Sequence, residues 1–313
     1  MKLGKVAGAV YARTVAKQMT LSETEMVFEE KMVFGEDKKI GIFAIASVVN
    51  RLQVQRVEIL GIYIKILLPK FAFESRIKSM VLHMKNICEQ YHIEVQEIDA
   101  EVSPVITSSI VQVVGVGKKR DAIKQDIKKN IKKDIKKEMD IVLTKHVGLE
   151  GSIRLLYECT EKLEARFLPS FLQRIAQKEM ELFCNTEVEV VRGQDIAYMH
   201  VLGEGGIYAA LWQMADTLGV GLVIEGDKIL IRQETIEICE YFNLNPYQIA
   251  SEGSVLMLTE NGKHLQAELQ KNQIPASVIG RTTLNNQRII RRGIDVRYLD
   301  KPVPDELLKI FGN

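Results

Sequence analysis

Met199-His200-Val201-Leu202-Gly203-Glu204-Gly205-Gly206 leads into Ile207-Tyr208-Ala209-Ala210-Leu211-Trp212-Gln213-Met214-Ala215, and then into Leu218-Gly219-Val220-Gly221-Leu222-Val223-Ile224-Glu225. An apolar strand turns sharply into a helix at paired glycines, and a second apolar strand follows. A turn of this kind needs residues free to adopt positive φ, and it aims backbone N–H groups outward, where they can face an anion. Two shorter turns echo it, Gly148-Leu149-Glu150-Gly151 and Ser251-Glu252-Gly253. Together they predict an α/β fold of the phosphate-handling kind. The acidic and hydroxyl residues that such a site ordinarily carries are mostly missing beside them.

Outward from this stretch the second half reads as an α/β layer. Strands are expected at Asp140–Thr144, Glu187–Val191, Ser254–Leu258 and Ala276–Ile279, the last leading to a small hairpin. Helices are expected at Ser152–Glu164, Pro169–Phe183, Glu234–Phe242 and Lys263–Asn272, with a turn at Asn245-Pro246. In the first half, Lys39–Val49 and Glu58–Leu68 are dense apolar runs rich in Ile and Val and read as strands. Ser75–Tyr91 has helical spacing, and Ile93–Val95 and Pro104–Val116 read as further strands, so a helix packs on one face of a sheet. Trp212 and Met214 read as core residues of the helix after the glycine turn.

Between the halves, Ile123, Ile127, Ile131 and Ile135 recur every four residues among Lys-Lys pairs. That predicts a basic helix with a thin apolar stripe. It reads as a solvated linker, or alternatively as an anchor for RNA, anionic lipid or an acidic partner. No aromatic residue is interleaved for base stacking, which favours the linker. The expected organisation is residues 1–117, a basic helical linker at 118–140, and residues 141–313.

Size and charge set the outer limits. The 313 residues suffice for two domains, and 46% hydrophobic content supplies their cores. Forty-two Lys and Arg face 41 Asp and Glu, so no global field argues for nucleic acid or an anionic membrane. No membrane span is expected, and the apolar run near Met1–Val10 lacks a long hydrophobic region. Cys88, Cys159, Cys184 and Cys239 are widely separated, which suits core thiols in a reduced, cytoplasmic protein better than disulfides or zinc. No nucleophile elbow, P-loop, dinucleotide fingerprint or zinc motif is present.

The glycine turns, in this order and spacing, resemble the aminoimidazole ribonucleotide synthetase (PurM-like) superfamily, and within it the hydrogenase-maturation branch. Gly148–Gly151 is similar to a Gly-x-x-Gly turn of that family; His200–Gly206 and Ser251–Gly253 resemble its Thr-x-Gly-Gly and Ser/Asn-Glu-Gly signatures. Phe43–Asn50 is similar to a segment ending in Asn-Asp, and Ile93–Val102 to one carrying Gly-Asp-Thr. The resemblance covers most of residues 27–283. It implies two α/β domains, the first pairing with a second copy to close an intersubunit barrel and the second forming an α/β sandwich. It also implies a homodimer, a protein partner of the hydrogenase-maturation type, and an ATP held through Mg²⁺ by acidic residues.

Residue by residue, this chain departs from that pattern. Where relatives place a strand ending in Thr-Asp, Val27–Lys31 puts Lys31; where they place Asn-Asp, this chain has Asn50-Arg51. Asp99 alone survives of Gly-Asp-Thr, and Gly203-Glu204 replace the Thr and the residue after it, although Gly205 and Gly206 remain. The phosphate-binding loop at the N-terminus has no counterpart, and the chain ends Lys309-Ile310-Phe311-Gly312-Asn313 with no terminal Cys to carry a thiocarboxamide. Cations at Lys31 and Arg51 would repel Mg²⁺ by several kcal/mol at ~4 Å in a partly dry pocket. The site is therefore expected either to be inactive, leaving a protein for binding or assembly, or to use Lys31 and Arg51 on an anion directly. The alternative is an ATP-dependent enzyme that phosphorylates an amide or carbamoyl oxygen.

The candidate residues follow. Asp99 and His200 are candidates for chemistry, with Asp99 also the candidate metal ligand. Lys31, Asn50, Arg51, Glu101, Gly148, Gly151, Gly205, Gly206 and Glu252 are candidates for ligand binding. His200 reads equally as a hydrogen-bonded residue beneath the loop. Glu252 reads also as a turn-end carboxylate bonding backbone N–H groups. Asp99 and Glu101 are expected to bridge to Arg51 or Lys31. His83, His92, His146 and His264 have no partners at ligand spacing.

Overall fold

The computed structural model describes residues 26–119 and 138–312. The basic segment expected to be helical lies almost wholly outside the described residues, as does the run near Met1–Val10.

The first half is built as β1 (Met26–Gly35), α1 (Gly41–Val54), β2 (Glu58–Pro69), α2 (Glu74–Gln90), β3 (Val95–Ser103) and β4 (Ser109–Lys118). The strands form an open four-stranded sheet in the order β1-β4-β2-β3. β4 runs antiparallel to both neighbours, while β2 and β3 are parallel and joined through α2. One face packs on the helices through Val33, Ile62, Ile64, Ile66, Val111 and Val113. Lys31 shares that face with Val33, two residues along the strand, and is buried with it. The opposite face leaves Phe28, Met32, Phe34 and Tyr63 exposed.

Lys39–Val49, read above as a strand, is helix α1. Every residue from Gly41 to Asn50 is buried, because α1 lies between the first sheet and the second half of the chain. A helix covered on all sides loses the 3.6-residue periodicity that would distinguish it from a buried strand. Gly41 allows it to touch α2 closely: a Cβ there would stand 2.3 Å from the Met84 sulfur.

The second half comprises β5 (Asp140–Thr144), α3 (Leu149–Glu158), α4 (Thr160–Glu164), α5 (Pro169–Ala176), α6 (Asn185–Val190), β6 (Tyr198–Val201), α7 (Gly206–Leu218), β7 (Gly221–Glu225), α8 (Gln233–Tyr241), β8 (Val255–Thr259), α9 (Gly262–Lys271), β9 (Ala276–Thr283), β10 (Arg288–Arg292), β11 (Asp295–Tyr298) and α10 (Leu308–Phe311). Seven strands make one mixed sheet in the order β11-β10-β7-β9-β5-β8-β6. Helix α7 covers one face around Leu211 and Met214, while α6 and α9 cover part of the other around Val142, Leu265 and Leu269. Trp212 on α7 is half-buried, with the Arg288 guanidinium 4.0 Å from its ring centroid. The mixed α/β class expected from the sequence is the class observed.

Two further expectations are corrected. Glu187–Val191 lies on helix α6 rather than a strand. Its Glu-Val-Glu-Val alternation imitates a strand period, but Glu187 is drawn inward by an ion pair with Lys145 at 2.7 Å. Pro169–Phe183 is helical only to Ala176, followed by a single 3-10 turn at Glu179–Leu182. One continuous core links the first sheet to the helices of the second half. It joins α1 and α2 to Leu155, Leu172, Ile238, Leu244 and, near the chain's end, Leu307.

Candidate functional site

The seam between the sheets gathers most of the candidate residues. Lys31 reaches from β1 and donates to the Glu204 carboxylate in the glycine turn, 173 residues away. On α1, Ser47 and Arg51 stand one turn apart, and Arg51 Nη1 donates to Ser47 Oγ at 2.5 Å. The Arg51 Nη2 atom and the Glu252 Oε2 atom lie 3.2 and 3.8 Å from where a Cβ on Gly203 would stand. Gly203 is thus the gap through which the guanidinium and the carboxylate approach the turn.

Asn50 holds this arrangement rigid. Its Nδ2 donates to the Leu182 carbonyl at 2.8 Å and to Glu252 Oε1 at 2.9 Å. Its Oδ1 accepts the Cys184 N–H at 2.9 Å. A fully buried amide with three partners has little capacity left for a ligand. Glu252 is likewise buried. Burial pushes its carboxyl up from the usual range, Arg51 pulls it back, and neighbouring Glu150 adds to the rise.

The three glycine turns pack against one another. Gly148 at φ +77° donates to Ser251 Oγ at 2.7 Å, and Gly151 donates to the Ala250 carbonyl at 2.8 Å. Gly206 at φ +61° lets α7 start against Tyr247, whose carbonyl oxygen would be 2.6 Å from a Cβ. The Gly205 N–H faces a carboxylate of the chain itself, Asp305 Oδ2 at 2.6 Å.

His200 sits on β6 beside Tyr198, whose hydroxyl is 3.5 Å from Nδ1. Burial lowers its pKa to about 4, with Gln213 opposing and Arg51 reinforcing the fall. The imidazole is therefore neutral at physiological pH and lies beside the cluster.

Asp99 and Glu101 lie elsewhere. Both are exposed on the edge strand β3, and both pair with Lys65 on β2, at 2.5 and 3.1 Å. The bridge to Arg51 or Lys31 expected from the sequence is not formed. The register that sets Lys65 opposite Asp99 puts these carboxylates on the solvent face, whereas Lys31 points to the core face. The Lys65 hydrogen bond holds the Asp99 carboxyl below its ordinary range.

Three site residues escaped sequence reading. Glu150 accepts the Glu252 N–H at 3.2 Å. Lys145 adopts φ +55°, and its ammonium donates to the carbonyls of Phe183 at 2.6 Å, Glu181 at 3.0 Å and Gly253 at 3.4 Å besides pairing with Glu187. Asp305 caps the glycine turn. Glu150 stands inside the Gly-Leu-Glu-Gly turn and was legible in principle; Lys145 and Asp305 carry no local signal of such roles.

These residues do not fit Mg²⁺. A hard cation needs several available oxygen ligands. Here Glu204 is held by Lys31, Asn50 is saturated, and Glu252 stands beside Arg51. Among the described residues, no group of three or more His, Cys, Asp or Glu side chains is placed to hold a metal ion. What the seam offers is a part-buried, alternating set of charges that joins the first sheet and α1 to the glycine turns of the second half.

Comparison with known proteins places the chain. Residues 136–291 match the model of the AIR synthase related protein, C-terminal domain. A protein of Methanocaldococcus jannaschii described as a hydrogenase expression/formation protein is 23% identical over 294 residues, covering 90% of this chain and 81% of that one. The crystal structure of the hydrogenase maturation protein HypE from E. coli superposes with a TM-score of 0.74 at 16% identity, over 92% of this chain and 88% of that chain. A chain from the crystal structure of a HypE–HypF complex superposes with a TM-score of 0.67 at 17% identity, over 90% of this chain and 92% of that chain. No helix among the described residues is long and apolar enough to cross a membrane. Residues 136–291 form an AIR synthase related C-terminal domain, and the two sheets have the PurM-like fold.

Proposed function

We propose that this chain is a binding or assembly member of the AIR synthase related family that does not turn over Mg·ATP at the seam between its sheets. The observation that carries this reading is the ion pair between buried Lys31 and Glu204. It places an ammonium, already neutralised, where the resemblance puts a metal-binding carboxylate. Arg51 beside Glu252 repeats the substitution on α1.

The same reading makes residues 1–117 and 141–313 the two domains and the segment 118–140 their linker. The exposed face bearing Phe28, Met32, Phe34 and Tyr63 supports a homodimer built through the first sheet. Four free cysteines suit a reduced, cytoplasmic setting. The HypE–HypF complex makes a hydrogenase-maturation protein the first partner to try.

Isothermal titration with ATP, with and without Mg²⁺, tests the central statement. No Mg²⁺-dependent binding is expected. Micromolar Mg²⁺-dependent binding, or ADP release that is stimulated by an amide or carbamoyl substrate and lost in Asp99→Ala, would replace this reading with the enzymatic one.

A further inference from the structure

The segment after β11 crosses the molecule in an unusual way. Leu299 is still tied to β10 through its N–H to the Arg288 carbonyl at 2.8 Å. Asp300 to Pro304 then run exposed or half-exposed over a cavity of about 140 Å³ lined by Gly205, Tyr208, Asn245, Arg297, Lys301 and Val303. This part spans a gap and is not packed down. Pro302 and Pro304 flank Val303 and stiffen it.

Beyond the gap the segment is anchored three times. Asp305 Oδ2 accepts the Gly205 N–H at 2.6 Å and Oδ1 accepts the Leu307 N–H at 2.9 Å. Glu306 Oε2 accepts the Asn245 N–H at 3.0 Å, and Leu307 is buried in the shared core. Phe311 lies 5.2 Å from the Arg154 guanidinium, which also faces Phe34 at the end of β1 and Phe43 on α1. One end of the segment therefore holds the glycine turn, and the other reaches the first sheet and its helix through Arg154 of α3.

We propose that residues 299–312 form a clasp across the seam between the two sheets, and that the clasp loosens as pH rises because Asp305 docks among other carboxylates. The inference stands apart from the Mg·ATP reading: it concerns the chain's own tail and holds whether or not nucleotide binds.

Asp305 faces Glu204 from the glycine turn and Glu150 from α3, and the Cys239 thiol on α8 stands near both Asp305 and Glu306. Of the cations on this side, Lys31 is engaged by Glu204, and Arg297 and Lys301 line the cavity that Gly205 also borders. Lys309 is engaged by Glu306 at 2.5 Å. Burial is the largest influence on the Asp305 carboxyl; the Gly205 and Leu307 N–H groups oppose it, Glu150 and Glu204 reinforce it, and the result is a rise to about 7. Docking thus favours the protonated form. Its full strength is present below the ordinary Asp range near 4 and is lost as pH climbs through about 7. Leu307 and Phe311 resist release through apolar burial, so the clasp loosens without the protein unfolding.

Amide hydrogen exchange on the full chain at pH 6 and pH 8, corrected for intrinsic rates, tests the clasp. Protection of the Gly205 and Leu307 amides is expected to fall about tenfold over that interval. Amides of Phe34 and Phe43 across the seam should lose protection with the same midpoint. In Asp305→Asn, which keeps an acceptor and removes the titration, protection should be equal at both pH values. Unchanged protection in the wild type, or an Asp305→Asn profile as steep as the wild type's, overturns the proposal. So does a fall confined to Gly205 and Leu307 with no response at Phe34 and Phe43, a readout that needs no variant.

Discussion

Lys31 and Glu204 meet across the seam although one lies on a strand of the first sheet and the other in the turn that starts α7, and their burial is unequal: Lys31 is 7% exposed and Glu204 37%. Removing either partner therefore has different consequences. Glu204→Ala strands an ammonium in a dry position, whereas Lys31→Ala leaves a carboxylate that water reaches. Glu204→Ala should cost about 2 kcal/mol, discounted from a fully buried pair, and Lys31→Ala about 1 or less. Urea denaturation of both variants checks the order, and equal losses would contradict it.

Asn50 ties α1 to two segments of the second half by three buried hydrogen bonds. Asn50→Ala orphans the Cys184 N–H and the Leu182 carbonyl together, with an expected loss of about 3 kcal/mol. Asn50→Asp should be worse at neutral pH, since it sets a second carboxylate against Glu252. Chemical denaturation of the two variants at pH 5 and pH 8 should show the Asp variant recovering on the acid side, where a shared proton relieves the repulsion.

Two positive-φ glycines bracket α7 and differ in their surroundings. A Cβ at Gly206 would meet the Tyr247 and Ile249 carbonyl oxygens at 2.6 and 2.7 Å, while nothing lies within 4 Å of one at Gly219. Gly219→Ala should cost about 1 kcal/mol from backbone strain alone. Gly206→Ala adds a clash with fixed backbone and should exceed that several-fold, readable as a loss of folded protein in thermal melts.

His200 carries an acid-side liability. Its folded pKa, near 4, lies below the ordinary value of 6.5, so its contribution to stability is complete above pH 6.5 and is lost as pH falls towards 4. Between pH 7 and 4.5 the wild type should lose about 2 kcal/mol more than His200→Gln. Parallel denaturation curves at both pH values measure the difference; identical losses would remove His200 as the cause.

Local chemistry made part of the molecule legible. The β6–α7–β7 unit is announced by glycines whose positive φ values have a steric cause, and α2, β5, β8 and α9 are amphipathic or bounded by clear breakers. Helix α1 was misread because total burial erases the periodicity on which helix recognition depends. α6 was misread because Glu187 alternates like a strand residue while answering to Lys145. Lys31, Arg51 and Glu252 were identified as candidates from the sequence, and the structure brings them to one seam. Asp99 and Glu101 were separated from them by the pairing register, which no short window encodes. Asp305 lies 100 residues from the amide it caps, and only the path of the folded chain connects them.

The Lys145 ammonium lies among three main-chain carbonyl oxygens and a carboxylate, a donor set that a free alkali ion would also accept. Here the positive charge is an extension of the polypeptide. An occupant joined by covalent bonds has no dissociation constant: it can neither be dialysed away nor exchanged for a competing ion. The crossing point of the Glu181–Cys184 segment and the Gly253 turn is therefore set at synthesis, and its geometry is insensitive to the ionic composition of the surrounding solution.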